Sequence, residues 1–255
     1  MKTVIFVWTS NVNNIDTDTG FWGIGDVIRG IISMHQLSQQ FGFKLIVDTQ
    51  LTPISELLKH EKHEYSDFVL SHRDNIPFVY PGHVMNFIST CESDVVLLMT
   101  NDLYHNQITD ECKAFIKDIL TPVDDLESYI LSGVSGIIHC RTGDQVLIHN
   151  NKFDDELYKR LVETIDLTPG YLFMSDSLAL KHRIKCDFPT TRMLDTTIGH
   201  TGYKHHSSML KDTILEFLTI TRSKEIHSYT VYDWPSGFVK IAHDIYDVPL
   251  KIYSL

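Results

Sequence analysis

The chain has 255 residues, 43% of them hydrophobic and 22% charged, with a formal net charge of -11. This is ordinary globular composition, long enough for one large α/β domain or two compact ones of about 125 residues, and it excludes disordered and fibrous classes. A surface so negative repels a phosphate backbone, so nucleic acid is not an expected partner.

The first run, from Met1 to Trp8, is apolar and turns polar at Thr9-Ser10-Asn11. It is too short for a signal-peptide core with its cleavage site or for a membrane span, and it predicts a first buried strand. A polar, turn-prone stretch follows from Asn11 to Gly20. Phe21-Trp22-Gly23-Ile24-Gly25-Asp26 then leads into a helix in which Val27, Ile28, Ile31, Met34, Leu37 and Phe41 recur at spacings near three and four. Gly42 stops that helix, and Lys44–Asp48 reads as the second strand, so the chain opens with a βαβ unit. In the less legible middle, residues 54–60 and 110–120 read as helices and 94–99 as a buried strand.

A second half begins near Gly133. Residues 136–141 form a short apolar strand ending in polar residues, and a helix starts at Asp154-Asp155 with acids at its positive end. Tyr171–Met174 is a strand ending in Ser175-Asp176-Ser177 and followed by a helix. Residues 209–221 read as a helix, 225–228 as a short strand and 237–246 as a last long helix. Strands alternating with helices predict an α/β protein with a parallel sheet in each half. The expected domains are 1–132 and 133–255, the last helix being a candidate to pack back on the first. The four cysteines Cys91, Cys112, Cys140 and Cys186 form no CxxC knuckle, and no Asn-x-Ser/Thr acceptor is present. Reduced thiols in a cytoplasmic protein are the expectation.

Three stretches carry candidate chemistry. Gly23-Ile24-Gly25-Asp26-Val27-Ile28-Arg29-Gly30 places glycines at a strand-to-helix junction, where a helix amino terminus favours an anion. It departs from the dinucleotide fingerprint, because Ile28 stands where a third small residue belongs; Asp48, at the end of the second strand, keeps a nicotinamide reading open. His139-Cys140-Arg141-Thr142-Gly143-Asp144 lies at the carboxyl end of a strand, the edge where open α/β sheets bind ligands. The fork of Arg141 suits a diphosphate, and a plain strand-end salt bridge to Asp144 is the competing account. Ser175-Asp176-Ser177 also ends a strand, where its hydroxyls would equally serve as helix caps. His200, His205 and His206 invite a metal, but adjacent imidazoles diverge and no acid or cysteine supports them, so a solvated loop is the expectation. No GxSxG, GxxxxGK[ST] or HExxH motif occurs.

Taken in order, Phe-Trp-Gly-Ile-Gly-Asp-Val-Ile-Arg-Gly-Ile, His-Cys-Arg-Thr-Gly-Asp and Met-Ser-Asp-Ser resemble the α1,2-, α1,6- and protein O-fucosyltransferase superfamily. The tail fits too, with Glu216 on a helix, Ser228-Tyr229, and Pro235-Ser236-Gly237-Phe238 before the last helix. The resemblance implies a GT-B type α/β fold of two facing Rossmann-like domains and a metal-independent, inverting transfer of fucose from GDP-fucose to a glycan or other hydroxyl acceptor. It implies that Arg141 holds the β-phosphate, His139 lies near guanine or ribose, and Glu216 accepts the guanine N1 and N2 hydrogens. Asp176 and Ser236 would contact the nucleotide, and Gly23, Gly25 and Arg29 would face the sugar. Asp26 is the candidate catalytic base, an amino-terminal cap being the bland account. The family's acid is often aspartate, so glutamate at 216 is a departure. Trp22, Tyr232 and Trp234 are candidates for stacking on an acceptor sugar. A transferase for another nucleotide sugar, an NAD-binding oxidoreductase and a non-catalytic nucleotide- or glycan-binding protein are the alternatives, and the oligomeric state is left open.

Overall fold

The computed structural model of the chain describes residues 1–9, 12, 23–59, 62–104, 107–143, 146, 153–165, 167–197 and 207–255. Trp22, Asp144, His200, His205 and His206 lie outside the described residues. The chain divides into two compact units, one comprising Met1–Ser128 and His200–Lys211, the other Tyr129–Gly199 and Asp212–Leu255.

The first unit is built on β1 (Thr3–Val7), whose five residues are all buried because strands flank it on both sides. It pairs in parallel with β2 (Lys44–Asp48) and with β3 (Val95–Leu98), giving the order β2-β1-β3. Parallel pairing demands a crossover, and α1 (Ile24–Phe41) supplies it by burying Val27, Ile28, Ile31 and Met34 along one stripe. Gly42 ends the helix in the left-handed conformation at φ 72, donating its N–H to the Ser38 carbonyl. Gly30 has a different task, since a Cβ there would sit 2.0 Å from the Thr100 carbonyl oxygen. Its bare backbone lets α1 lie directly on the segment that leaves β3.

The helix expected over 54–60 is instead a 3-10 turn, Pro53–Glu56. Thr52 caps it by accepting from the Ile54 N–H, and Pro53 starts it, but Leu58 is drawn into a bridge with Pro122 and stops propagation. Short helices α2 (Ser66–Ser71), α3 (Val84–Thr90) and α5 (Asp124–Glu127) join the expected α4 (Asp110–Ile119).

The second unit carries β4 (Gly136–Arg141), β5 (Tyr171–Ser175), β6 (Arg192–Met193), β7 (Ile226–Thr230) and β8 (Leu250–Ser254) in the parallel order β6-β5-β4-β7-β8. Alternate side chains feed two cores. Ile137, Leu172 and Ile226 meet Ile220 of α8 (Ser207–Thr221) and Val239 and Ala242 of α9 (Gly237–Tyr246) on one face. On the other, Ile138, Phe173 and Tyr229 meet Leu161 of α6 (Asp155–Thr164) and Leu180 and Ile184 of α7 (Leu178–Asp187). The last helix thus packs on the second sheet, and β8, absent from the sequence reading, extends that sheet beyond β7. No helix among the described residues is long and apolar enough to cross a membrane.

The strand order runs outward from β4 in both directions. A doubly wound sheet reverses its winding between β4 and β7, and the crevice at their carboxyl ends is where such sheets bind ligands.

Candidate functional site

The register of the second sheet builds this edge. Cys140 pairs with Ser175 and Arg141 with Thr230, so the last residues of three strands line up. Asp176, one residue past Ser175, then lies beside Arg141. Its Oδ2 accepts from Arg141 Nη1 at 2.6 Å, and its Oδ1 accepts from the Thr142 backbone N–H at 2.8 Å and the Thr142 hydroxyl at 2.7 Å. Among the described residues Arg141 pairs with Asp176, while the Asp144 of the sequence reading lies outside them. Asp176 anchors one corner of a guanidinium that is 19% exposed and always charged, orienting it at the rim of the sheet. The flanking serines act as the capping account required: Ser177 Oγ accepts from the Leu180 N–H, and Ser175 Oγ from the Ser177 N–H.

His139 lies two residues earlier on the same face and is buried, its ring stacked on Phe238 with centroids 6.1 Å apart. Burial first, and the Arg141 charge second, push its pKa down to about 3. The imidazole is therefore neutral, and its Nδ1 is a buried polar atom with no hydrogen-bond partner among the described residues. Ser228, its cross-strand neighbour on β7, has a hydroxyl in the same condition. Orphaned buried polar groups cost about 1–3 kcal/mol each, so two side by side are a mark of a functional edge rather than of packing.

Phe238 also meets Phe217 of α8 edge-on, at 5.4 Å, and the next residue back is Glu216. Burial pushes the Glu216 carboxyl above the usual carboxylate range, and Lys181 and Thr196 offset part of that rise. Lys181 Nζ lies 3.5 Å from Glu216 Oε1, the same oxygen that accepts the Thr196 hydroxyl. Sequence reasoning missed Lys181 and Thr196, since neither falls in a motif. Ser236 caps α9, its Oγ accepting from the Phe238 N–H at 3.3 Å. This puts the positive end of a ten-residue helix just after β7. In the connecting loop Tyr232 and Trp234 stack with rings 5.2 Å apart, and Trp234 is 62% exposed.

The first unit holds the other candidates. Gly23 is the N-cap of α1 and offers no side chain, Gly25 is buried in its first turn, and Asp26 is the acid of that turn rather than its cap. Asp26 Oδ1 pairs with Arg29 Nη2 at 3.0 Å, and Arg29 Nε donates to the Asn101 carbonyl at 3.1 Å. That second bond crosses from the helix to the chain leaving β3 and holds the guanidinium in place. Asp48 is fully buried, with its oxygens engaged by Gln50 N, Gln50 Nε2 and His63 Nε2 at 2.8–3.0 Å. A carboxylate spent on its own loop does not reach a ribose, so the feature that kept the nicotinamide reading open has a structural purpose. Among the described residues no three His, Cys, Asp or Glu side chains gather in the manner of a metal site.

No family profile matches the sequence, and no curated protein matches it. Solved structures do. The chain is similar to NodZ α-1,6-fucosyltransferase co-crystallised with GDP, at TM-score 0.55 and 13% identity, covering 95% of this chain and 91% of that one. The same enzyme soaked with GDP-fucose gives TM-score 0.54, 14% identity and coverage of 96% and 92%. Fucosyltransferase NodZ from Bradyrhizobium gives 0.52, 12%, 95% and 92%. The fold is therefore α/β of the GT-B type seen in these enzymes.

Proposed function

We propose that the chain is an inverting glycosyltransferase that moves fucose from GDP-fucose to a hydroxyl of a glycan. The observation that carries the reading is Arg141, a fixed cation locked by Asp176 at the winding reversal of the second sheet, two residues past the His139 ring that stacks on Phe238 in the first turn of α9. The solved structures that share the fold were obtained with GDP and with GDP-fucose, which supports the same ligand class here.

On this reading the second unit holds the donor. Arg141 and the α9 amino end take the diphosphate, and Asp176, which orients the arginine, is proposed to contact the nucleotide. Ser236 adds its hydroxyl at the helix start, while His139 and Glu216 bracket the base around Phe238. The acceptor oxygen attacks the anomeric carbon and gives its proton to a base, for which Asp26 of the first unit is proposed. The bond from that carbon to the diphosphate oxygen breaks, its electron pair leaves with GDP, and the configuration inverts. Negative charge grows on the leaving phosphate, so a preorganised guanidinium stabilises the transition state more than the ground state, in the role a metal ion fills elsewhere. Gly23, Gly25 and Arg29 are proposed to contact the sugar, and Tyr232 with Trp234 to offer an aromatic face to the acceptor. Four cysteines without disulfide partners support a cytoplasmic setting.

Thermal-shift titration with GDP, GDP-fucose, UDP and NAD tests the proposal, with Arg141→Ala alongside. A ligand at a hundred times its dissociation constant adds about 2.7 kcal/mol of stability to the native state. The expected result is stabilisation by the two guanine compounds alone, abolished in the variant. A preferential response to UDP or NAD, or equal responses in both proteins, sinks it.

A further inference from the structure

We propose that Lys181 is a positioning residue for purine recognition, holding Glu216 as a carboxylate with one oxygen offered to the edge of a guanine base. The inference rests on the fucosyltransferase reading above and assigns it a residue outside every motif of the sequence.

Lys181 is 5% exposed, a burial that lysine tolerates only when fully partnered. Its ammonium has three hydrogens and three acceptors: the Thr196 carbonyl at 3.2 Å, the Thr196 hydroxyl at 3.2 Å and Glu216 Oε1 at 3.5 Å. Nothing remains to donate to a ligand. The Thr196 hydroxyl accepts from Lys181 and passes its own hydrogen to the same Glu216 oxygen. Every bond to Glu216 from the described residues thus falls on Oε1, and none falls on Oε2. Oε2 is not among the buried polar atoms left without a partner, so it is open to an outside donor. One oxygen held by Lys181 and Thr196 and the other open is the geometry that suits a carboxylate presented to an outside donor.

Charge follows the same logic. Glu216 is 13% exposed in its side chain, and burial favours its neutral form. Asp212, one turn earlier on α8, pushes the same way, while Lys181 on α7 is the chief opposing influence, with the Thr196 hydroxyl behind it. Guanine presents two N–H donors on its Watson–Crick edge, N1–H and the N2 amine. Only the ionised carboxylate is purely an acceptor for them.

The test is calorimetric titration of the full chain with GDP and with IDP, which lacks the N2 amine, at pH 6 to 8.5. Wild type, Lys181→Met, Lys181→Gln and Glu216→Gln are compared. Wild type is expected to prefer GDP by about tenfold, the equivalent of one hydrogen bond to a charged group. Both Lys181 variants lose most of that preference and regain part of it as the pH is raised, as Glu216 ionises without its partner. Glu216→Gln loses it at every pH. Lysine variants that keep the wild-type GDP-to-IDP ratio and pH profile, however much less stable they are, reduce Lys181 to a packing residue and overturn the proposal. Lys181→Gln retains a donor without the charge, so the comparison survives if Lys181→Met does not fold. A wild type that fails to distinguish GDP from UDP overturns the parent reading, and this inference falls with it.

Discussion

His139 is a side chain whose protonation the fold opposes. Its pKa falls from an ordinary 6.5 to about 3, through burial first and the charge of Arg141 second. Between those two values the unfolded chain binds a proton that the native chain does not, so stability declines as pH is lowered through that window. One such site contributes a slope of up to about 1.4 kcal/mol per pH unit. His139→Gln is expected to flatten the acid limb of urea-unfolding midpoints measured from pH 7 to pH 4. An unchanged slope would place the acid sensitivity elsewhere, for example at His35 of the first unit, which burial shifts the same way. At this scale the sequence was only partly legible. Arg141 and His139 stood out by their place at a strand end. Asp176 was visible as a residue, but its bond to Arg141 depends on a register between strands 35 residues apart in the chain. Lys181 and Thr196 left no mark in the sequence, because a buried lysine is spelled like an exposed one.

Elements were readable wherever one face or both faces needed burial over several residues. β1, α1, β2, β4, β5 and α9 emerged from apolar runs and three-to-four spacing, and the acids placed at the start of α6 do cap it, Asp154 accepting from the Glu156 and Leu157 N–H groups. β6 and β8 did not emerge. β6 has two residues, and β8 is an edge strand with one neighbour, where Ile252 is 48% exposed, so neither shows a clean alternation. The packing of α1 against the end of β3 belongs to this scale as well. Gly30→Ala puts a methyl 2.0 Å from a backbone carbonyl, which only a shift of the helix relieves. A loss of about 3 kcal/mol is expected, against about 1–2 kcal/mol for Gly42→Ala, which meets open space but carries a left-handed φ of 72. Chemical denaturation of the two variants separates steric from conformational cost. Equal losses would mean that α1 yields freely at Gly30.

Two parallel sheets, each with its own winding reversal, divide the proposed labour between the units. Arg141, Glu216 and Lys181 belong to the second, Asp26 and Arg29 to the first. If Asp26 is the base, Asp26→Asn lowers turnover of GDP-fucose by at least about a hundredfold, the usual contribution of a positioned base, and leaves GDP affinity within about twofold. Stability should hold, because the Asp26–Arg29 pair is partly exposed and such pairs contribute at most about 1 kcal/mol. Turnover that survives the change removes Asp26 from the chemistry. The sequence by itself determined the alternation of strands and helices and the strand-end placement of the polar motifs, because burial and turn chemistry are written locally. Only the tertiary structure decided the order of the strands, the pairing of Arg141 with Asp176, the commitment of Asp48 to Gln50 and His63, and the one-sided bonding of Glu216. These depend on which distant segments lie side by side, and pairing of that kind is selected by packing of the whole rather than by any short stretch of chain.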